Sequence, residues 1–176
     1  MTEADPGSAD SAAPPDATSP EPGAAVPWLA PEEQAAWRAF LEMHDELMLR
    51  LERDLHERSG LSSTDYQVLV FLSEHPDGRA RPVEMCRAMR WEQSRLSHQV
   101  TRMEKRGLVE RSTCEEDGRG SLVGITAAGR STIEDAAPGH VRSLRALLVD
   151  PLGHEGLLRL GDLSRRVLDA MEDPTA

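Results

Sequence analysis

The chain has 176 residues, with 31 Asp/Glu against 20 Lys/Arg for a formal net charge of −11, a length that suits one domain with a real core and not two. No apolar run approaches the roughly 20 residues of a membrane span, the N-terminus lacks the charged-then-apolar pattern of a signal peptide, and two cysteines make no disulfide framework, so a soluble, cytoplasmic protein is expected. The acidity is uneven: from Arg79 to Arg130 eleven Lys/Arg face seven Asp/Glu, against nine and twenty-four elsewhere, and this basic block keeps nucleic acid among the candidate partners.

Residues 1–26, MTEADPGSADSAAPPDATSPEPGAAV, offer almost nothing to bury. That composition cannot offset its ordering entropy, so a disordered, solubilising tail is expected ahead of a single domain over 27–176. A first helix begins near Pro31, a residue suited to a first turn. It carries Trp37, Phe40, Leu41, His44, Leu47, Met48, Leu51 and Leu55 in one apolar stripe and stops at Ser59-Gly60. This helix, spanning 31–59, is longer than a small domain needs. Part of its stripe is expected to pack on something else, a second subunit being one candidate.

A second helix starts around Ser63-Thr64, both suitable caps, and carries Tyr66, Leu69, Val70 and Leu72. The turn HPDG and a short extended piece, Arg79 to Arg81, lead to Pro82 and a third helix over VEMCRAM. After RWE comes the amphipathic QSRLSHQVTRMEKRG, with Leu96, Val100 and Met103 on its inner face and Gly107 as its stop. LVERSTC and SLVGIT alternate apolar and polar residues, which predicts a two-stranded hairpin turning at Asp117-Gly118 and Gly120. Thr126 then caps a helix to about Val149, bent at Pro138, and a last helix runs from His154 to Met171 with Leu157, Leu158, Leu163, Val167 and Leu168 on one side.

Helix, turn, helix, hairpin is a winged helix-turn-helix. The expected fold is mainly α with a small β-hairpin wing, the winged part over about 61–126 and flanking helices over about 31–59 and 127–171. On the fourth helix the outer side carries Ser94, His98, Thr101, Arg102 and Lys105, flanked by Arg95, Ser97 and Gln99. Hydroxyls, an amide, an imidazole and guanidinium groups supply the donors and acceptors that read base edges in a major groove. The helix N-terminus also favours phosphate.

Two stretches carry a family resemblance: VTRMEKRGLVER, Val100 to Arg111, and Asp117-x-Arg119-Gly120 followed by Ile125-Thr126-x-x-Gly129. In that order and spacing the chain resembles MarR-type transcriptional regulators from about Pro31 to Met171. The resemblance implies a repressor acting as a homodimer joined through the first, fifth and sixth helices. It implies a double-stranded, inverted-repeat operator, with the fourth helix in the major groove and Arg119 in the minor groove, where negative potential is focused. Asp117 is expected to pair with an arginine, Arg102 being the candidate, and so hold wing to helix. Glu92 stands where a Ser, Thr or Asp cap is more usual and Trp91 is bulky for a turn, which leaves the operator sequence open.

Many family members release DNA when an aromatic ligand binds between the dimer helices and the winged part. Trp37, His44, Tyr66, Met85 and Trp91 are the candidates to line such a space, although Trp and Met at helical spacing are more often core. A redox-responsive repressor is the alternative drawn from one family branch, which places a reactive cysteine in the first helix. This chain has none there; Cys86 lies on an apolar face, and the carboxylates of Glu115, Glu116 and Asp117 disfavour a reactive thiolate at Cys114. His44 and His56 are twelve residues apart, about 120° round a helix, so no metal site is expected. No nucleophile with its base, phosphate loop or cofactor motif is present, so neither catalysis nor a cofactor is expected. The rival class is a winged helix used only for protein contacts, against which stand the basic block and Arg119.

Overall fold

A computed structural model describes residues 27–113 and 121–172. The expected tail over 1–26 and the wing tip, which includes Cys114, Asp117, Gly118, Arg119 and Gly120, lie outside the described residues. The chain divides into two compact units, Met1–Trp37 and Arg38–Ala176. In the first, the Ala30 N–H donates to Glu33 Oε2 at 2.7 Å, and Glu32 and Glu33 complement the N-terminal end of helix α1 (Pro31–Ser59).

Along α1 only Leu51 and Leu55 are buried; Leu41, Met43, Met48 and Leu49 are exposed. The sequence places the cap of the second helix one residue too late. In α2 (Ser63–Glu74) the cap is Ser62, whose Oγ accepts from the Asp65 N–H at 3.1 Å while Asp65 Oδ2 accepts from the Ser62 N–H at 3.0 Å. That reciprocal box satisfies two donors that a helix start otherwise leaves open. Strand β1 (Arg79–Ala80) leads into α3 (Pro82–Met89), which ends on Arg90 in the left-handed region at φ 54°. The left-handed residue reverses the chain within one turn, so α4 (Gln93–Lys105) can follow at once.

Strands β2 (Val109–Thr113) and β3 (Ser121–Ile125) form the expected hairpin, in a register running from Val109↔Ile125 to Thr113↔Ser121. The extended piece expected at Arg79 to Arg81 supplies a third strand, whose pairing the sequence reading did not give: β1 pairs antiparallel with β3, Arg79 opposite Gly124 and Ala80 opposite Val123, giving the order β1-β3-β2. Two residues are too few to show alternation. Thr126 caps α5 (Ala127–Leu144) as expected, accepting from the Gly129 N–H at 2.9 Å. A π-helical turn, Arg145–Val149, then continues directly into α6 (Asp150–Glu172). The break expected between 149 and 154 is reduced to one residue, Gly153 at φ 67° and ψ 173°.

One apolar cluster unites these pieces. Leu55 and Leu61, then Val68, Leu69 and Leu72 of α2, meet Met85 of α3, Leu96, Val100 and Met103 of α4, Val109 and Val123 of the sheet, and Ile133 of α5. Among the described glycines, Gly129 at the junction of α5 and the sheet is the most closely packed. A Cβ on Gly129 falls 2.0 Å from the Leu108 carbonyl oxygen, and backbone cannot step aside as a side chain does. Gly129→Ala is therefore expected to cost about 1–3 kcal/mol in urea denaturation. Gly161→Ala, where the new methyl meets nothing nearer than Arg165 Nη1 at 3.6 Å, is expected to stabilise by up to about 1 kcal/mol through helix propensity. Equal effects at the two sites contradict the packing at the junction.

Candidate nucleic-acid interface

Helix α4 is built with two unlike faces. Leu96, Gln99, Val100 and Met103 are buried, while Ser94, Arg95, Ser97, His98, Arg102 and Lys105 are exposed and Thr101 is half-buried. Glu92 makes no capping bond to the first turn, leaving amides there for an outside acceptor. Trp91 is only 8% exposed and belongs to the core. Its ring carries the Arg95 guanidinium 4.5 Å above the centroid, a cation–π contact that limits where the arginine can point.

Gln99 does not face outward with the others. It is 2% exposed, donating from Nε2 to Asp65 Oδ1 at 2.6 Å and accepting through Oε1 from Arg102 Nη2. Spacing could have shown this, because 96, 99, 100 and 103 follow the i, i+3, i+4, i+7 pattern of one helix face. The polarity of the amide obscured it.

Sequence reasoning also missed Asp65, the acceptor beneath Gln99. It is 4% exposed, and besides Gln99 and the Ser62 N–H it holds Arg106 Nη1 at 2.6 Å through Oδ2. Arg106 Nη2 donates onward to the Gly60 carbonyl at 3.0 Å. Burial opposes the charge on Asp65, but the Ser62 amide, the Arg106 guanidinium and the Ser62 hydroxyl outweigh it and hold the carboxyl below its ordinary value.

Arg111 fastens the wing to the same helix. From β2 its Nη1 donates to Glu104 Oε2 at 3.0 Å, and its Nη2 donates to Thr101 Oγ1 at 3.0 Å and the Ser97 carbonyl at 3.2 Å. Thr101 also donates to the Ser97 carbonyl at 2.8 Å, so its hydroxyl serves the helix and the strand. The pairing expected between Asp117 and Arg102 lies outside the described residues, as does the position of Arg119.

Of the five residues expected to line an effector space, Met85 is wholly buried and Trp91 nearly so, both in the core cluster against which Tyr66 packs, while Trp37 and His44 are exposed on α1. Tyr66 lines a groove of about 420 Å³ shared with Val70, Phe71, Glu74 and Met89. Its ring lies against His140 of α5, centroids 4.4 Å apart; burial, aided by Glu74, raises the phenol, and burial lowers the imidazole against the pull of Asp54. Cys86 is half-buried against the core. Among the described residues no three of His, Cys, Asp and Glu gather as a metal site, and no helix is long and apolar enough to cross a membrane.

Residues 59–120 match the model of the MarR family. Over 83% of its length the chain is 39% identical to AbsC, a MarR family transcriptional regulator from Streptomyces coelicolor, of which it covers 98%, with a TM-score of 0.79. A second MarR family regulator from Streptomyces coelicolor, solved in complex with DNA, is 36% identical, with 85% of this chain and 94% of that one covered at a TM-score of 0.79. A third relative, the HTH-type transcriptional repressor YetL of Bacillus subtilis, is 25% identical over 111 residues, which is 61% of this chain and 66%, just under two thirds, of the repressor.

The Asp65 carboxylate makes stability depend on pH in a defined direction. Its folded value lies below the ordinary 3.8, so the ionised group stabilises the fold above that pH, and the contribution is lost as pH falls through the lowered value. Asp65→Asn keeps an acceptor for the Ser62 amide and removes the charge beneath Arg106. We expect a cost of about 1–3 kcal/mol near neutral pH, shrinking as pH drops below 3.8. Denaturation curves at several pH values check this; a gap that widens in acid contradicts it.

Proposed function

The chain belongs to the MarR family, and from that membership we propose that it is a sequence-specific repressor which binds an inverted-repeat operator in double-stranded DNA as a homodimer. The observation that carries the reading is the outer face of α4, where Ser94, Arg95, Ser97, His98, Arg102 and Lys105 are exposed beside a buried apolar stripe. A face of donors and cations on a helix backed by a wing suits a major groove. Thr101 contributes from its half-buried place. Arg119, in the segment that joins β2 to β3, is proposed to enter the minor groove, with Asp117 pairing with an arginine to hold wing to helix. Gln99 is removed from the base-reading set. The reading assigns the chain no catalytic role and a cytoplasmic location.

Support for the dimer comes from apolar residues left at the surface. On α6 Leu158, Leu163, Val167, Leu168 and Met171 are 42–75% exposed, and α1 adds Leu41, Met43 and Met48. Large apolar side chains exposed in that number along α6 and α1 suit an interaction site. We propose further that a small aromatic effector enters the groove at Tyr66, whose apolar walls and single phenol suit such a ligand.

Three measurements test the reading. Affinity for random duplex should fall steeply as salt rises, because each neutralised phosphate releases counterions; a flat response favours a protein-interaction module instead. Against randomised sites at one salt concentration, Arg95→Ala should cost about 1–3 kcal/mol and relax preference at one half-site position, with half-sites about 10 base pairs apart. Arg119→Ala should weaken all duplexes, most of all those with A·T-rich flanks; the reverse pattern of preferences refutes the assignment of helix and wing. Finally, Leu163→Arg combined with Val167→Arg should yield monomers in sedimentation, whereas an intact dimer places the interface elsewhere.

A further inference from the structure

Arg102 differs from the other exposed cations of α4 because a buried side chain accepts a hydrogen bond from it. Gln99 has one acceptor and a donor pair on its carboxamide, and the site uses both ends. Nε2 donates to Asp65 at 2.6 Å, and Oε1 accepts from Arg102 Nη2. Reversing the amide would set its oxygen against a carboxylate and its NH₂ against a guanidinium, so its orientation is fixed from both sides. Asp65 cannot turn away, since Arg106 and the Ser62 amide occupy its other oxygen.

Charge makes the arrangement specific. Arg106 already pairs with Asp65, so among the described residues the guanidinium of Arg102 is held by a neutral amide, which leaves its charge for an anion outside the core. A carboxylate at position 99 would hold Arg102 equally well and neutralise it. Resting on the reading of α4 as the DNA-reading helix, we propose that Gln99 is a positioning residue. It relays the fixed orientation of Asp65 to Arg102 and holds that guanidinium ready on the DNA-facing surface. Fixing one rotamer-rich side chain in advance is worth about two- to tenfold in affinity.

The experiment has two arms on the full chain. In the free protein, nitrogen relaxation at Arg102 Nε should report an ordered side chain that becomes mobile in Gln99→Met. On an operator selected from a randomised library, Gln99→Met should lower affinity about two- to tenfold, Arg102→Ala should lower it more, and the double variant should match Arg102→Ala alone. If Gln99→Met does not fold, the paired exchange of Asp65→Asn with Gln99→Glu keeps both bonds while swapping carboxylate and carboxamide. Arg102 should then stay ordered but bind DNA with one phosphate contact's worth less salt dependence, a slope reduced by about 1. Additive losses in the cycle, or an Arg102 equally ordered without its amide partner, overturn the relay. A wild-type chain that binds no duplex sinks the functional reading instead, and the relaxation arm then decides the relay alone.

Discussion

Burying a carboxylate beside an apolar core is unfavourable unless every oxygen finds a donor, and the placement of α4 follows from how that demand is met at Asp65. Its donors come from the loop before α2, from the middle of α4 and from the end of α4. These contacts are directional, so they specify the angle between the two helices more narrowly than Val68, Leu69, Leu96, Val100 and Met103 do by packing alone. The apolar side chains supply most of the cohesion; the carboxylate selects one arrangement among those the core would tolerate.

From that fixed helix the outer face inherits its order. Arg95 rests on Trp91, a core residue, and Arg102 on Gln99, another. Arg111 reaches from β2 to the Ser97 carbonyl and to the Thr101 and Glu104 side chains of α4. These three arginines are thus tethered to the core or to the helix itself. If this face meets a rigid duplex, as proposed, it gains from the tethering, since less freedom remains to be lost on contact.

The elements whose periodicity spans several turns were legible in the sequence. The stripe Leu96, Val100, Met103 marked α4, Gly107 its end, and Thr126 the start of α5, because local chemistry decides each of them. What was not legible depends on distant partners. Strand β1 exists only because β3 has a free edge beside it. The burial of Gln99 needs Asp65, which lies 34 positions earlier in the chain. Trp91 reads as an awkward turn residue until the core it fills is known. The helical run through Asp150 was hidden because Pro151 reads as a break, whereas the backbone departs from the helix only at Gly153, just before the expected start of the last helix at His154.

The corner where the wing meets α5 carries a mechanical consequence. Thr126 donates to the Gly107 and Leu108 carbonyls, its N–H bonds to Leu108 as well, and Gly129 lies against that same peptide. With no slack at this weld, α5 and the wing turn as one piece, like a crank and its shaft. Whatever tilts α5 by a few degrees must swing the hairpin through an arc that grows with distance from the corner.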